Sequence, residues 1–304
     1  MEYVLTTDAL CKQYGHFKAL DGCFLHVPKG AIYGFIGKNG AGKTTLIRLI
    51  CGLQTPTLGG YSLYGISDKD KEIIRSRRRM GAIVETPSVY LDMTAEENLK
   101  AQYRILGLPS FDGIPRLLSL VGLSNTGKKK AKSFSLGMKQ RLAIAVVLCG
   151  DPDFLVLDEP TNGLDPQGIV DIRELILKLN HEHQITVLVS SHFLDELSKI
   201  ATHYGFIDYG HIVKEMNANE LAAECRKCMR IEVSSTKVLA RVLDEMRVEY
   251  KILSDTTADI FEDVKITPLT LALSEKNCEI VSIKERDESL ESYYIAIVGG
   301  DKNE

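Results

Sequence analysis

A chain of 304 residues has room for one large or two smaller domains, and its 44% hydrophobic and 26% charged residues are ordinary for a soluble globular protein. The net charge of −4 implies no general affinity for nucleic acid, and no apolar run is long enough to span a bilayer. Seven scattered cysteines suit reduced thiols, and with no basic-then-apolar segment at the start the chain reads as cytosolic.

In chain order, residues 3–36 read as short β-rich segments with turns at Tyr14-Gly15 and Pro28-Lys29-Gly30. A glycine-rich loop, Gly37 to Gly42, then opens a helix that ends near Gly52. Thr55-Pro56 and Gly59-Gly60 mark a turn, and Tyr61 to Tyr64 alternates as a short strand. Residues 94–121 look helical and polar-faced, and Thr94-Ala95-Glu96-Glu97 resembles a capping box. A second helical pattern runs from Ser135 through Cys149. Phe154 to Leu157 and Ile185 to Val189 read as buried strands. This alternation predicts an α/β fold with a mainly parallel sheet covered by helices on both faces.

Tyr209-Gly210-His211 is a hairpin signal, after which the character changes. Residues 1–216 hold 25 basic against 23 acidic groups, whereas 217–304 hold 12 against 18. The expected domains are therefore 1–216 and 217–304. The second reads roughly as strand, helix, strand, strand, helix, strand, helix over 228–297. Cys225 and Cys228 form a lone C-x-x-C, read as helix-end thiols because a zinc ribbon needs a second pair. Asp255, Asp259, Glu262 and Asp263 read as a solvated acidic loop rather than a metal site.

The chemistry begins at Gly37-Lys38-Asn39-Gly40-Ala41-Gly42-Lys43-Thr44-Thr45, between an apolar strand and a helix. Glycines let backbone N–H groups converge on phosphate oxygens, and the helix N-terminus adds partial positive charge. Lys43 can reach the β- and γ-phosphates as a point charge, and the Thr44 hydroxyl can hold Mg²⁺. Phe154-Leu155-Val156-Leu157-Asp158-Glu159 buries a strand and pushes two carboxylates out at its end. Asp158 suits the Mg²⁺ shell, directly or through water, and Glu159 is placed to deprotonate water against the γ-phosphate. The helix start at Ser135-Leu136-Gly137 is a second phosphate site. One compact nucleotide does not need both from one copy. Two copies set head to tail would use both.

With these residues the chain resembles an ABC transporter nucleotide-binding subunit over residues 3 to about 216. Further positions carry the likeness. Tyr14 matches the aromatic residue that stacks on adenine. Asn162-Gly163-Leu164-Asp165 matches the loop that contacts the opposite subunit, and His192 matches the switch histidine near the γ-phosphate. Glu85 occupies the place of the usual glutamine, which approaches Mg²⁺ and the attacking water. The resemblance implies a P-loop core with a parallel sheet, an antiparallel β subdomain and a helical subdomain, joined here by a small α+β C-terminal domain. It also implies an ATPase using ATP and Mg²⁺, paired with a second identical or different ATPase subunit. An integral-membrane subunit would hold it peripherally on the inner face of the cell membrane. The segment 94–121 lies where the family docks that subunit.

Leu136 and Met138 stand where many members carry Gly and Gln. Together with Glu85 and the small C-terminal domain, they resemble the bacitracin-resistance and lantibiotic-immunity subgroup. The alternative is an ATP-driven switch on ribosomes or DNA, but such members carry fused nucleotide domains or long coiled-coil insertions. A phosphoryl-transfer kinase leaves Ser135 to Arg141 unexplained. The basic clusters Arg75, Arg77–Arg79 and Lys128–Lys130 with Lys132 read as solvated charge or as contacts to a membrane partner.

Overall fold

The computed structural model describes residues 2–225, 228–261, 264–286, 293–295 and 297. The chain divides into two compact units, 1–218 and 219–304.

Three elements build the first unit. The strands Ile32–Ile36, Phe154–Asp158 and Thr186–Ser191 are buried along their whole length. They form the middle of a six-stranded sheet whose order is 211–217, 203–208, 32–36, 186–191, 154–158, 80–83. All pairings are parallel except the edge hairpin His203–Asp208 with His211–Asn217, which turns at Tyr209-Gly210. Burial on both faces explains why the central strands are runs of Ile, Val, Leu and Phe rather than alternating patterns.

A second, antiparallel sheet has the order Phe17–Pro28, Tyr3–Tyr14, Leu58–Leu63, Ile66–Ser67. One apolar cluster runs through both sheets and the helix Lys43–Ile50, from Leu5, Leu25 and Leu63 to Phe35, Leu46 and Val156. The expected turn at Gly59-Gly60 is instead part of a strand. Gly59 sits at φ +71°, and a Cβ there would lie 2.1 Å from the Ala9 carbonyl oxygen. The pairing register slips beside it, between Asp8 and Cys11, and Ala9 also carries a positive φ. The glycine thus accommodates a bulge, not a reversal of the chain.

The third element is helical. Thr94 closes a complete capping box with Glu97 and starts the helix Ala95–Leu106, which ends at left-handed Gly107. The expected helical stretch holds a second helix, Ile114–Leu120, beyond that break. Its outer surface is not simply polar, because Ile105, Leu106, Leu108 and Phe111 are exposed. The helix Leu136–Leu148 follows, capped by Ser135.

The Arg75–Arg79 and Lys128–Lys132 clusters are partly tied into the fold. Arg77 bonds the Tyr61 hydroxyl. Arg79 pairs with Asp153 and lies 3.7 Å from the Tyr64 ring centroid. Lys132 is 2.9 Å from Asp92.

The second unit has strands Cys228–Val233, Tyr250–Ile252, Thr257–Ile260 and Ile280–Arg286 in the antiparallel order 250–252, 257–260, 228–233, 280–286. Helices Thr236–Met246 and Ile266–Glu275 contribute Leu239, Val242, Leu243, Leu269 and Leu273 to a separate core with Ile231, Val233 and Ile260. Most of the final expected helix lies outside the described residues, as do Glu262 and Asp263 of the acidic group. Asp259 is not a solvated loop residue. It is buried in a strand and takes two hydrogen bonds from the Arg230 guanidinium, at 2.6 and 2.7 Å.

Cys11, Cys23, Cys51, Cys149 and Cys278 form no disulfide among the described residues. Burial pushes the Cys23 thiol up to about 11 and the Cys149 thiol up to about 12, which keeps both protonated and unreactive near neutrality. No helix among the described residues is long and apolar enough to cross a membrane.

Candidate nucleotide site

The glycine loop leaves the buried strand Ile32–Ile36 and enters the helix Lys43–Ile50 through Gly42, at φ 113°. A side chain would not fit at either end of the loop. A Cβ on Gly37 would meet the Ile207 carbonyl oxygen at 2.6 Å, and one on Gly42 would meet the Ala19 carbonyl oxygen at 2.7 Å. Gly40, at φ +83°, faces open space, and Asn39 beside it is exposed. The helix has no side-chain cap and no acidic residue in its first turn. Its N-terminal amides are thereby left to an anion, and the helix dipole favours negative charge there.

Lys43 is buried. Its ammonium donates to the carbonyls of Gly37 at 2.6 Å and Lys38 at 3.2 Å, and lies 3.1 Å from Glu159 Oε1. Thr44 Oγ1 donates to Asp158 Oδ2 at 2.8 Å, while Thr45 is half-buried in the same turn. Parallel pairing of Asp158 with Ser190 brings a buried hydroxyl alongside. Ser190 Oγ donates to Asp158 Oδ1 at 2.6 Å and accepts from the Glu159 N–H at 2.9 Å. His192 Nδ1 lies 2.8 Å from Glu159 Oε2. Glu159 has φ 49°, a left-handed conformation that a glutamate adopts only under constraint. Its Oε1 is buried with no hydrogen bond, so its one compensation is the Lys43 charge.

Lys43, Thr44, Asp158, Glu159 and His192 thus form one bonded cluster. The other expected residues make their contacts elsewhere. Tyr14 ends its strand half-exposed and donates to Gln54. Ser135 is exposed, accepts from the Met138 N–H at 3.2 Å, and stands one residue before Leu136 and two before Gly137. Asp165 caps the helix Pro166–His181, accepting from the Gly168 N–H at 3.0 Å. Glu85, just beyond the strand Met80–Ile83, has φ 64° and pairs with Arg48.

Sequence reasoning did not assign roles to Ser190, Arg48 or Gln54. The signal for Ser190 is a hydroxyl closing an otherwise apolar buried strand. For Arg48 it is the four-residue spacing from Thr44 on one helix face.

Burial, reinforced by Asp158, pushes the nearby Cys51 thiol up to about 12. A hydroxyl and a carboxylate are hard oxygen donors of the kind Mg²⁺ accepts. No group of three or more His, Cys, Asp or Glu able to hold a metal occurs among the described residues. A glycine loop opening an uncapped helix, with a strand-end acid pair and a histidine around it, has the parts of a P-loop nucleotide hydrolase.

The comparisons place it more closely. The family model described as ABC transporter matches residues 20–162. Bacitracin transport ATP-binding protein BcrA of Enterococcus faecalis is 39% identical, with 99% of this chain and 98% of the relative covered. Lantibiotic transport ATP-binding protein SrtF of Streptococcus pyogenes is 41% identical over 212 residues, covering 70% of this chain and 90% of the relative. The dimeric post-hydrolysis structure of the ATP-binding cassette MJ0796, bound to ADP and Pi, superposes with a TM-score of 0.62 at 25% identity, covering 70% of this chain and 98% of that one. The chain belongs to the ABC transporter family, as an ATP-binding subunit and ATPase.

Proposed function

We propose that residues 1–216 form the ATP-binding domain and hold Mg-ATP between two copies of the chain, or one copy and a related subunit. The observation that carries this reading is the clustering of Lys43, Thr44, Asp158, Glu159 and His192 while Ser135, a second helix cap, is exposed. Each nucleotide then lies between the Gly37–Thr45 loop of one subunit and the Ser135–Gly137 segment of the other. The dimeric MJ0796 cassette supports the arrangement.

Within the pocket, loop amides and Lys43 bind the β- and γ-phosphates, and the Tyr14 ring stacks on adenine. Phosphate oxygens compete with Glu159 for Lys43, which frees the carboxylate to act as base. Glu159 takes a proton from water as the water oxygen bonds the γ-phosphorus and the bond to the β-phosphate oxygen breaks, giving ADP and phosphate. His192 orients Glu159 and the γ-phosphate, and Asp165 carries the closure across to the other subunit. Thr44 and Asp158, with Glu85 nearby, would hold Mg²⁺, which neutralises phosphate charge when bound.

Closure of the pair moves a separate integral-membrane subunit, and hydrolysis resets it. The exposed Ile105, Leu106, Leu108 and Phe111 surface is the docking face we assign to that subunit, which keeps the chain peripheral on the cytoplasmic side of the membrane. BcrA and SrtF are named for bacitracin and lantibiotic transport, so we assign antimicrobial peptides as the cargo class, with resistance or immunity as the outcome. Nucleic acid is not among the expected partners. Steady-state assay of Glu159→Gln tests the catalytic assignment. Turnover should fall about 10²- to 10⁴-fold with ATP binding nearly intact. An unaltered rate contradicts it.

A further inference from the structure

We infer that Arg48 is a positioning residue for the ATPase site: it is the counter-ion that lets a glutamate occupy position 85. The inference rests on the reading of the site given above. Strands Met80–Ile83 and Phe154–Asp158 pair in parallel, with Ile83 opposite Leu157. Two residues further on, each chain reaches a glutamate, Glu85 and Glu159, and both have positive φ, at 64° and 49°. Each glutamate is met by a cation from the helix Lys43–Ile50. Lys43 lies 3.1 Å from Glu159, and Arg48 pairs with Glu85. Thr44 and Arg48 stand four residues apart, on one face of that helix, and Thr44 binds Asp158.

Charge explains why the second pair matters. Asp158 and Glu159 already put two carboxylates beside a polyphosphate site, and Glu85 adds a third. An uncompensated carboxylate there repels the incoming phosphates over several ångströms, and a planar guanidinium both neutralises it and fixes its direction. The pair is partly exposed, Arg48 at 35% and Glu85 at 56%, so solvent screening keeps the effect moderate. Arg48 therefore acts through Glu85, without touching the nucleotide.

The test is a double-mutant cycle on the full chain: Arg48→Met, Glu85→Gln and the two together. ATP affinity is read by titration calorimetry with and without Mg²⁺, and KM and kcat by steady-state assay. Thermal melts check that each variant folds, and Arg48→Lys keeps the charge as a second variant. In the native background Arg48→Met should raise both the ATP dissociation constant and KM about three- to tenfold, with a smaller change in kcat and an intermediate result for Arg48→Lys. In the Glu85→Gln background the same substitution should change neither constant, because no charge remains to compensate. An equal loss in both backgrounds, or no loss in the native one, overturns the inference. Failure of the underlying site reading would show separately, as native turnover in Glu159→Gln.

Discussion

Glu159 is held by opposing demands: a left-handed backbone that costs about 1–3 kcal/mol, and a carboxylate oxygen whose burial is compensated by Lys43. Lys43→Ala removes that compensation and the proposed phosphate contact together. ATP affinity should fall about 10- to 100-fold by calorimetry, the loss expected for a charge-assisted contact. Ser190→Ala removes the hydroxyl that orients Asp158 and satisfies the Glu159 amide. Turnover should drop about tenfold and chemical denaturation should show a loss of about 1–3 kcal/mol, and a change in stability without a change in rate would leave Ser190 purely structural. Lys43, Thr44, Asp158 and Glu159 were legible as a group because they stand in two contiguous segments, which the structure brings together. Ser190 and Arg48 were not, because their roles come from partners 32 and 37 residues away across the sheet.

Local signals succeed for an element when its own residues decide its shape. Thr94 and Glu97 complete their capping box without outside help, whereas the Tyr209-Gly210 turn, equally legible, is also tied to Ala41 and Asp21 through the Gly210 backbone. Thr94→Ala should cost about 1 kcal/mol in urea denaturation, and no change in the midpoint would remove the cap from the helix's stability. Gly59 shows the opposite case, since its position in a strand is set by Ala9 on the neighbouring strand. Any side chain there meets that carbonyl at a positive φ, so Gly59→Val should lower the melting temperature by more than a surface substitution does. The break at Gly107 was present in the sequence as Gly107-Leu108-Pro109, but the apolar surface on the adjoining loop becomes visible only once the chain has turned.

At the scale of the whole molecule, both helix starts proposed to bind phosphate belong to the unit spanning 1–218, which has its own core. The cassette MJ0796, 98% of which is covered by 70% of this chain, is dimeric. A chain ended at residue 218 should therefore still pair when it binds Mg-ATP, whereas loss of pairing would assign assembly to the second unit. In the proposed assembly the triphosphate joins two subunits through the Gly37–Thr45 loop of one and the Ser135–Gly137 segment of the other. Its most direct test is the mass of the full-length Glu159→Gln variant by light scattering at saturating Mg-ATP, with its membrane subunit present if needed. The expected result is a dimer that forms with nucleotide and is lost on adding Ser135→Arg, while a species that stays monomeric, or a dimer indifferent to ATP and to Ser135, rules the shared pocket out.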